Sequence, residues 1–86
     1  MSNVEEARAA IMAGHADADQ AIALSGQVAK DFAQACETMC SAAMGSNQDE
    51  ASQAHAQLAA AVDKIEEAQQ LAASALQLFE NVASRL

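Results

Sequence analysis

The stretch GSNQDE, residues 45–50, separates two long Ala-rich segments and is the only run of six residues between them that lacks an apolar side chain. Gly45 suits the left-handed position that ends a helix, and Ser46 or Asn47 suits the cap of the next one. Asp49 and Glu50 would then complement the positive end of the second helix dipole. The stretch therefore predicts a turn between two helices.

The chain favours helix on both sides of this turn. It has no Pro, three Gly and 24 Ala, and Ala is the strongest helix former. Ser2 with Glu5, or Asn3 with Glu6, offers a capping box for the first helix. We predict an all-α, antiparallel two-helix hairpin of the Ala-rich coiled-coil type in one domain: helix 1 at about 3–44, the turn at 45–48 and helix 2 at about 48–85.

Size and composition limit the core that the hairpin can form by itself. The chain has 86 residues, of which 52% are hydrophobic and only 2% are aromatic. A domain of this size buries roughly 60% of the surface that its unfolded chain exposes. We therefore expect a second chain to supply part of the buried surface.

The net charge of −8 argues against two classes of partner. Nucleic acid phosphates and anionic membrane surfaces would both repel such a chain. The N-terminus also lacks the basic and apolar regions of a signal peptide, and no apolar run reaches eighteen residues. We expect a cytoplasmic protein with no nucleic acid or membrane partner, and we leave export without a cleaved signal open.

Apolar and small residues recur at intervals of three and four in both halves, which predicts a heptad seam between the helices. The predicted seam of helix 1 consists of Ile11, Gly14, Ala18, Ala21, Ser25, Val28, Phe32, Ala35, Met39 and Ala42. That of helix 2 consists of Ala51, Ala54, Leu58, Ala61, Ile65, Ala68, Ala72, Ala75, Phe79, Val82 and Leu86. This register places Phe79 over Gly14. The Ser25-Gly26 pair could bend helix 1, and a break after Gly14 with Asp17 as a new cap is the weaker alternative.

Larger apolar residues fall beside this seam, so the apolar arc of helix 2 spans roughly 200°, which one partner helix does not cover. We predict that the hairpin forms a homodimer, a four-helix bundle, with a different helical protein as the alternative partner. The predicted oligomer interface consists of Ile22, Leu24, Val62, Leu71, Leu76, Leu78 and Val82.

Soft ligands concentrate just before the turn in CETMCSAAM, which contains Cys36, Met39, Cys40 and Met44. His55 follows the turn and is expected near Met39 and Cys40. Cu(I) or Zn(II) would accept such donors. Met and Cys are also ordinary gap-fillers in cores, and this is the interpretation that we favour. We therefore predict no metal ligand and no cofactor, and keep a metal-binding or redox-responsive bundle using Cys36, Cys40 and His55 as the alternative.

Catalytic patterns are missing from the sequence. There is no Gly-rich phosphate loop or nucleophile elbow, and neither His has Glu three residues before it, as a di-iron site requires. His15 is expected at the edge of the core without a Ser or Cys opposite it. We predict no catalytic residue and no enzymatic activity.

The chain resembles uncharacterised small actinobacterial helical-hairpin proteins, which are similar to the Trp-x-Gly (ESX) hairpin family of type VII secretion. The residues that carry the resemblance are Gly45, Ser46, Leu58, Val62, Ile65, Glu67, Ala68 and Leu71. MGSN stands where that family has its Trp-x-Gly turn, and Ala83 stands four residues after Phe79, where the export signal would have an acidic residue. The resemblance implies a dimer of hairpins that acts as an interaction module or as a secreted partner.

Three functional hypotheses follow from these patterns. The first is a non-enzymatic protein–protein interaction module, a dimeric hairpin linked to systems resembling type VII secretion. The second is the metal-binding or redox-responsive bundle. The third is a subunit of a helical filament or needle-like assembly.

Overall fold

A computed structural model describes residues 3–43 and 48–86, and it confirms the all-α helical hairpin. Helix α1 spans Asn3–Ala43 and helix α2 spans Gln48–Arg85. The two helices are antiparallel, because Arg8 near the start of α1 contacts Ala83 near the end of α2. The predicted helix end at Met44 and the predicted caps Gly45, Ser46 and Asn47 lie outside the described residues.

Helix α1 passes through both of its glycines without a break. Each Gly costs about 1 kcal/mol relative to Ala in a helix interior, and the many Ala residues around them outweigh that cost. The alternative of a new helix capped by Asp17 is therefore wrong. Acidic residues occupy the first turn of both helices, and Arg85 occupies the last turn of α2, as the helix dipoles favour.

The hairpin is a rod rather than a globule. Its dimensions are 67 × 15 × 12 Å and its radius of gyration is 19.5 Å, whereas a compact chain of this length would have a radius of gyration of about 12 Å. Its accessible surface is 6383 Å², against roughly 4,800 Å² for a compact monomer of the same mass. The single hairpin thus leaves about 1,600 Å² more surface in water than a globular monomer would.

Very few side chains are fully buried between the helices. Within the described residues the buried set is Ala29, Cys36 and Ala83, and no large side chain is completely enclosed. Small residues let two helices approach closely, but they remove little apolar surface from water. The intramolecular core is therefore as small as the composition suggests.

In α1, every second predicted position up to Val28 and all four beyond it, Phe32, Ala35, Met39 and Ala42, are exposed. The observed seam therefore differs from the predicted one. It keeps Ile11, Ala18 and Ser25 of α1, but His15, Ile22 and Ala29 are the more buried neighbours of the predicted Gly14, Ala21 and Val28. In α2, Val62, Gln69, Leu76 and Ala83 likewise lie one residue after predicted positions and are half-buried or buried. One residue corresponds to 100° on a helix. Both helices are thus rotated about their axes relative to the prediction.

This rotation exposes the large residues that were predicted to fill the seam. Phe79 is 54% exposed, and a Cβ built on Gly14 would meet nothing within 4 Å, although both residues line one cavity. The prediction that Phe79 packs over Gly14 is therefore wrong. Phe32 and Met39, also predicted in the seam, are exposed as well.

The axial register lies within two residues of the predicted one. The predicted pairing of Gly14 with Phe79 implies that facing residues have numbers that sum to 93, which sets Ile22 against Leu71, whereas the structure joins Ile22 to Gln69 through a hydrogen bond. The same sum sets His15 against Leu78, and the structure joins His15 to Glu80. Arg8 with Ala83 and Cys36 with His55 are shifted in the same direction as Ile22 with Gln69, and His15 with Glu80 is shifted in the opposite direction. None of these contacts departs from the predicted register by more than two residues, so the rotation of the helices is the main difference from the prediction.

Candidate functional site

One long side of the hairpin is apolar. Among the described residues, all large apolar side chains that are exposed lie on this side, with the exception of Met12. They are Val4, Leu24, Val28, Phe32, Met39, Leu71, Leu78, Phe79, Val82 and Leu86. Leu71 is 73% exposed, Leu78 65% and Leu24 61%. We call this set the apolar face.

Helix geometry explains why residues from both helices share this side. Val28 precedes the buried Ala29, and Val82 precedes the buried Ala83. In two antiparallel helices that face one another, the residue before a seam position points to the same side of the pair on both helices, because the helices run in opposite senses. The apolar face residues of α1 and those of α2 therefore lie on the same side of the hairpin.

The predicted interface residues divide into two groups. Leu24, Leu71, Leu78 and Val82 lie exposed on the apolar face. Ile22, Val62 and Leu76 are half-buried in the seam between α1 and α2. Their role in an oligomer stays a prediction, and the first group is the one whose surface is available to a second chain.

The opposite side of the hairpin carries the polar contacts between the helices. Arg8 Nε donates to the Ala83 carbonyl oxygen at 3.3 Å, and Gln69 Nε2 donates to the Ile22 carbonyl oxygen at 3.0 Å. His15 Nε2 lies 2.8 Å from Glu80 Oε1, and its Nδ1 lies 3.2 Å from Asp19 Oδ2. The two sides of the rod therefore differ in chemistry.

A cluster of two thiols and one imidazole belongs to this polar side. Cys36 is buried in α1, Cys40 is half-buried one turn later, and His55 reaches them from the start of α2. The Sγ atoms of Cys36 and Cys40 are 3.8 Å apart, and Cys36 Sγ is 2.9 Å from His55 Nδ1. Three ligand atoms, one from each residue, lie within 4.8 Å of one another. We call this set the thiol–imidazole cluster.

The cluster opens into a groove of about 580 Å³ whose lining includes Leu58, Val62, Glu37 and Asp63. Burial raises the pKa of the Cys36 thiol above its ordinary value of 9.0, and the hydrogen bond and electrostatic interaction with Cys40 and the charge of Glu37 raise it further. At neutral pH this thiol is therefore protonated and a poor nucleophile. In the His55 tautomer with its proton on Nε2, the Cys36 thiol donates to Nδ1.

The structure also separates residues that the sequence grouped together. Met39 is 53% exposed on the apolar face rather than beside His55, and Met44 lies outside the described residues. His15 is far along the rod from the cluster and is held by Asp19 and Glu80. The prediction that His55 lies near Met39 and Cys40 is therefore corrected: the three members that come together are Cys36, Cys40 and His55.

Known proteins give no guide to these sites. No family model matches the chain, and comparisons with curated proteins and with solved structures found no significant match. Within the described residues, neither helix has a segment long and apolar enough to cross a membrane. The functional argument therefore rests on the apolar face and on the thiol–imidazole cluster.

Sequence reasoning missed the polar contacts between the helices, although a signal for them was present. Arg8, Ile22 and Cys36 lie on one heptad line of α1, and their partners Ala83, Gln69 and His55 lie on one heptad line of α2. His15 lies on the same line of α1, and its partner Glu80 lies beside the α2 line. Residues on one heptad line face the same neighbour. A search for polar residues at this spacing would have placed the line between the helices.

Proposed function

We propose that this protein is a non-enzymatic interaction module that self-associates through the apolar face into a four-helix bundle. The observation that carries the proposal is the concentration of exposed large apolar side chains on one side of the hairpin. Contiguous exposed apolar surface of this kind is typical of protein interfaces. The second copy of the chain is the occupant that we propose for it.

The exposed area agrees with a dimer of this size. The hairpin has 6383 Å² of accessible surface, about 1,600 Å² more than a compact monomer. Specific interfaces remove about 800 Å² from each partner, and obligate dimers remove more. Stacking two hairpins face to face would cover the long apolar side of each rod and bring the surface per chain toward that of a globular protein.

The one-sided distribution favours a closed dimer over a filament. A twofold interface uses the same surface on both subunits and is complete after two copies. A filament needs two different complementary surfaces on each subunit. On the described part of the chain, the side opposite the apolar face has Met12 as its exposed large apolar residue, so it offers no second apolar surface of comparable size.

Charges beside the apolar face suggest how two copies are arranged. Asp31 flanks the face on α1, at the heptad position of Leu24, and Lys64 flanks it on α2, at the heptad position of Leu71. A twofold axis parallel to the helices would place α1 of one copy over α2 of the other. Acidic and basic flanks would then meet at both edges of the bundle.

The heights of these residues fit the same arrangement. Gln69 contacts Ile22 and lies 3.1 Å from the Cβ position of Gly26. Lys64, five residues earlier, is therefore level with the segment from Gln27 to Asp31. With a twofold axis parallel to the helices, which we call the parallel arrangement, Asp31 of the second copy lies within about one helical turn of Lys64 along the axis. Leu24 of the second copy is level with Leu71 for the same reason.

Sedimentation of two matched variants tests the dimer. Leu71→Asp places a charge on the apolar face near the middle of the rod, and we expect it to weaken the dimer by a hundredfold or more, since each buried Leu contributes about 1.5–3 kcal/mol and a dimer contains two. Met12→Asp makes a comparable change on the opposite side and should leave the dimer mass unchanged. A wild-type chain that stays folded and monomeric at millimolar concentration would contradict the proposal.

The resemblance to type VII secretion hairpins adds a context but no residue to this proposal. We propose that the bundle works as an adaptor or secreted partner in such a system, because those proteins also act as paired hairpins. Binding of the purified dimer to the components of a type VII secretion system would test the link. Loss of the dimer in Leu71→Asp without loss of such binding would separate the two ideas.

A further inference from the structure

We propose that Cys36, Cys40 and His55 form a Zn(II) site that fastens α1 to α2 near the turn. The site lies on the side of the hairpin opposite the apolar face, so it is independent of self-association. It joins two ligands from one helix to one ligand from the other, and the metal would act as a crosslink between them.

The distances agree with zinc geometry. Zn–S bonds are about 2.3 Å and tetrahedral angles separate two such sulfur atoms by about 3.8 Å. The Sγ atoms of Cys36 and Cys40 are already 3.8 Å apart. Cys36 Sγ and His55 Nδ1 are 2.9 Å apart and would have to separate to about 3.6 Å, the S–N distance around a tetrahedral Zn(II). The three ligand atoms lie within 4.8 Å of one another, so small side-chain adjustments would bring them around one ion.

The local chemistry favours a metal over a disulfide. A disulfide needs the two Sγ atoms at about 2.03 Å, and Cys residues one helical turn apart on one helix reach this distance only with strain. Both cysteines are free thiols. Two thiolates and one imidazole are a preferred ligand set for zinc, and three protein ligands leave a fourth position open. That position would face the groove beside Glu37 and Asp63.

Binding must release protons, because zinc takes thiolates and neutral imidazole. Cys36 and Cys40 would each lose a thiol proton to solvent as an S–Zn bond forms, and the hydrogen bond between Cys36 and His55 would be replaced by two bonds to the ion. The acidic groups in the groove, Glu37 and Asp63, add negative charge that favours the cation. The affinity should therefore rise with pH.

Titration of reduced, chelator-treated protein with Zn(II) alone tests the site. We expect one ion per chain and a rise in Tm on the order of 10 °C when free zinc exceeds the Kd a hundredfold. Co(II) should bind in the same place and show sulfur-to-cobalt charge-transfer absorption. Neither readout requires a variant, so failure of a variant to fold does not affect them.

Matched histidine variants identify the ligand. His55→Ala should weaken zinc binding by well over a hundredfold, beyond the roughly 10–100-fold that the loss of an outer-shell partner costs, whereas His15→Ala should leave it unchanged. Cys36→Ser and Cys40→Ser should each lower the Co(II) charge-transfer absorption by at least half, because each removes one of the two thiolates. Leu71→Asp should bind zinc as the wild type does, which separates this site from the dimer.

Three results would overturn the proposal. One is the absence of stoichiometric zinc at micromolar protein. Another is zinc binding that is undiminished in His55→Ala. The third is strong binding of Cu(I) by a protein that does not bind Zn(II), which would assign the same three residues to a different ion.

Discussion

At the level of single residues, Gln69 explains why a glycine is tolerated in the middle of α1. Its side-chain amide donates to the Ile22 carbonyl oxygen, which also accepts a hydrogen bond from Ser25 Oγ at 2.7 Å. The amide lies 3.1 Å from the place that a Cβ on Gly26 would take. Gly26 thus leaves room for a polar contact between the helices, whereas Gly14 has open space around it.

The two glycines therefore respond differently to the same substitution. Gly14→Ala should raise the free energy of unfolding by up to about 1 kcal/mol, because Ala is the better helix former and nothing opposes its Cβ. Gly26→Ala should gain much less or lose stability, because the new methyl group crowds the Gln69 amide. Urea denaturation measures both changes.

A double-mutant cycle provides the control. In the Gln69→Ala background, Gly26→Ala should recover the full gain that Gly14→Ala shows. Equal gains at both glycines in the wild-type background would mean that the contact between Gln69 and Ile22 does not restrict position 26.

At the level of the helices, the end of α2 depends on α1. The last four carbonyl groups of a helix have no partner within it. The Ala83 carbonyl oxygen accepts from Leu86 N and from Arg8 Nε, both at 3.3 Å. Arg8 also places a positive charge beside the negative end of the α2 dipole. A residue at the start of one helix thereby completes the end of the other.

Removing this side chain should loosen the end of α2. Arg8→Ala should lower the free energy of unfolding by about 0.5–1.5 kcal/mol, the net value of one hydrogen bond. It should also increase hydrogen exchange of the amides in the last turn of α2. Lys30→Ala removes the same charge from the exposed middle of α1 and is the matched control. Equal exchange in the last turn for both variants would contradict this role of Arg8.

At the level of the whole molecule, the rod is two-sided. One long side holds the exposed apolar residues, and the other holds the contacts of Arg8, His15 and Gln69 and the thiol–imidazole cluster. The proposed self-association and the proposed zinc site therefore use separate surfaces. A substitution on one of these surfaces should remove either the dimer or zinc binding without affecting the other.

Charge exchange tests the arrangement of the two copies. If Asp31 of one copy lies beside Lys64 of the other, Asp31→Lys and Lys64→Asp should each weaken the dimer, because each places like charges together at both edges. The protein with both substitutions should regain much of the lost affinity. Sedimentation at low salt measures all three proteins, since screening weakens such pairs.

The arrangement with α1 packed over α1 predicts a different pattern. There the two substitutions act independently, and their effects should add instead of cancelling. Glu66→Lys changes a charge on the polar side and is the control that should leave the dimer unchanged. Additive weakening in the double variant would reject the parallel arrangement and keep the apolar face as the interface.

The local signals in the chain were sufficient for the hairpin. Helix propensity, the absence of Pro and the polar stretch at 45–50 act over a few residues, so they required no tertiary information. The sequence also showed directly that the chain is acidic and that it has more large apolar residues than the contact between two helices can bury. The rotation of the helices was not, because the competing seams differ by one position and both are lined largely by Ala, Gly and Ser.

The tertiary structure decided that rotation through contacts between residues far apart in the chain. Arg8 with Ala83, Ile22 with Gln69 and Cys36 with His55 are polar pairs that only the folded hairpin brings together. They align one heptad line of each helix and turn the large apolar residues outward. Ala, Gly and Ser favour one packing face of a helix over a neighbouring face only weakly, because the apolar area that each face would bury is similar. Directional hydrogen bonds and the size of Phe and Leu side chains therefore determined which side faces the partner helix and which side is left for another chain.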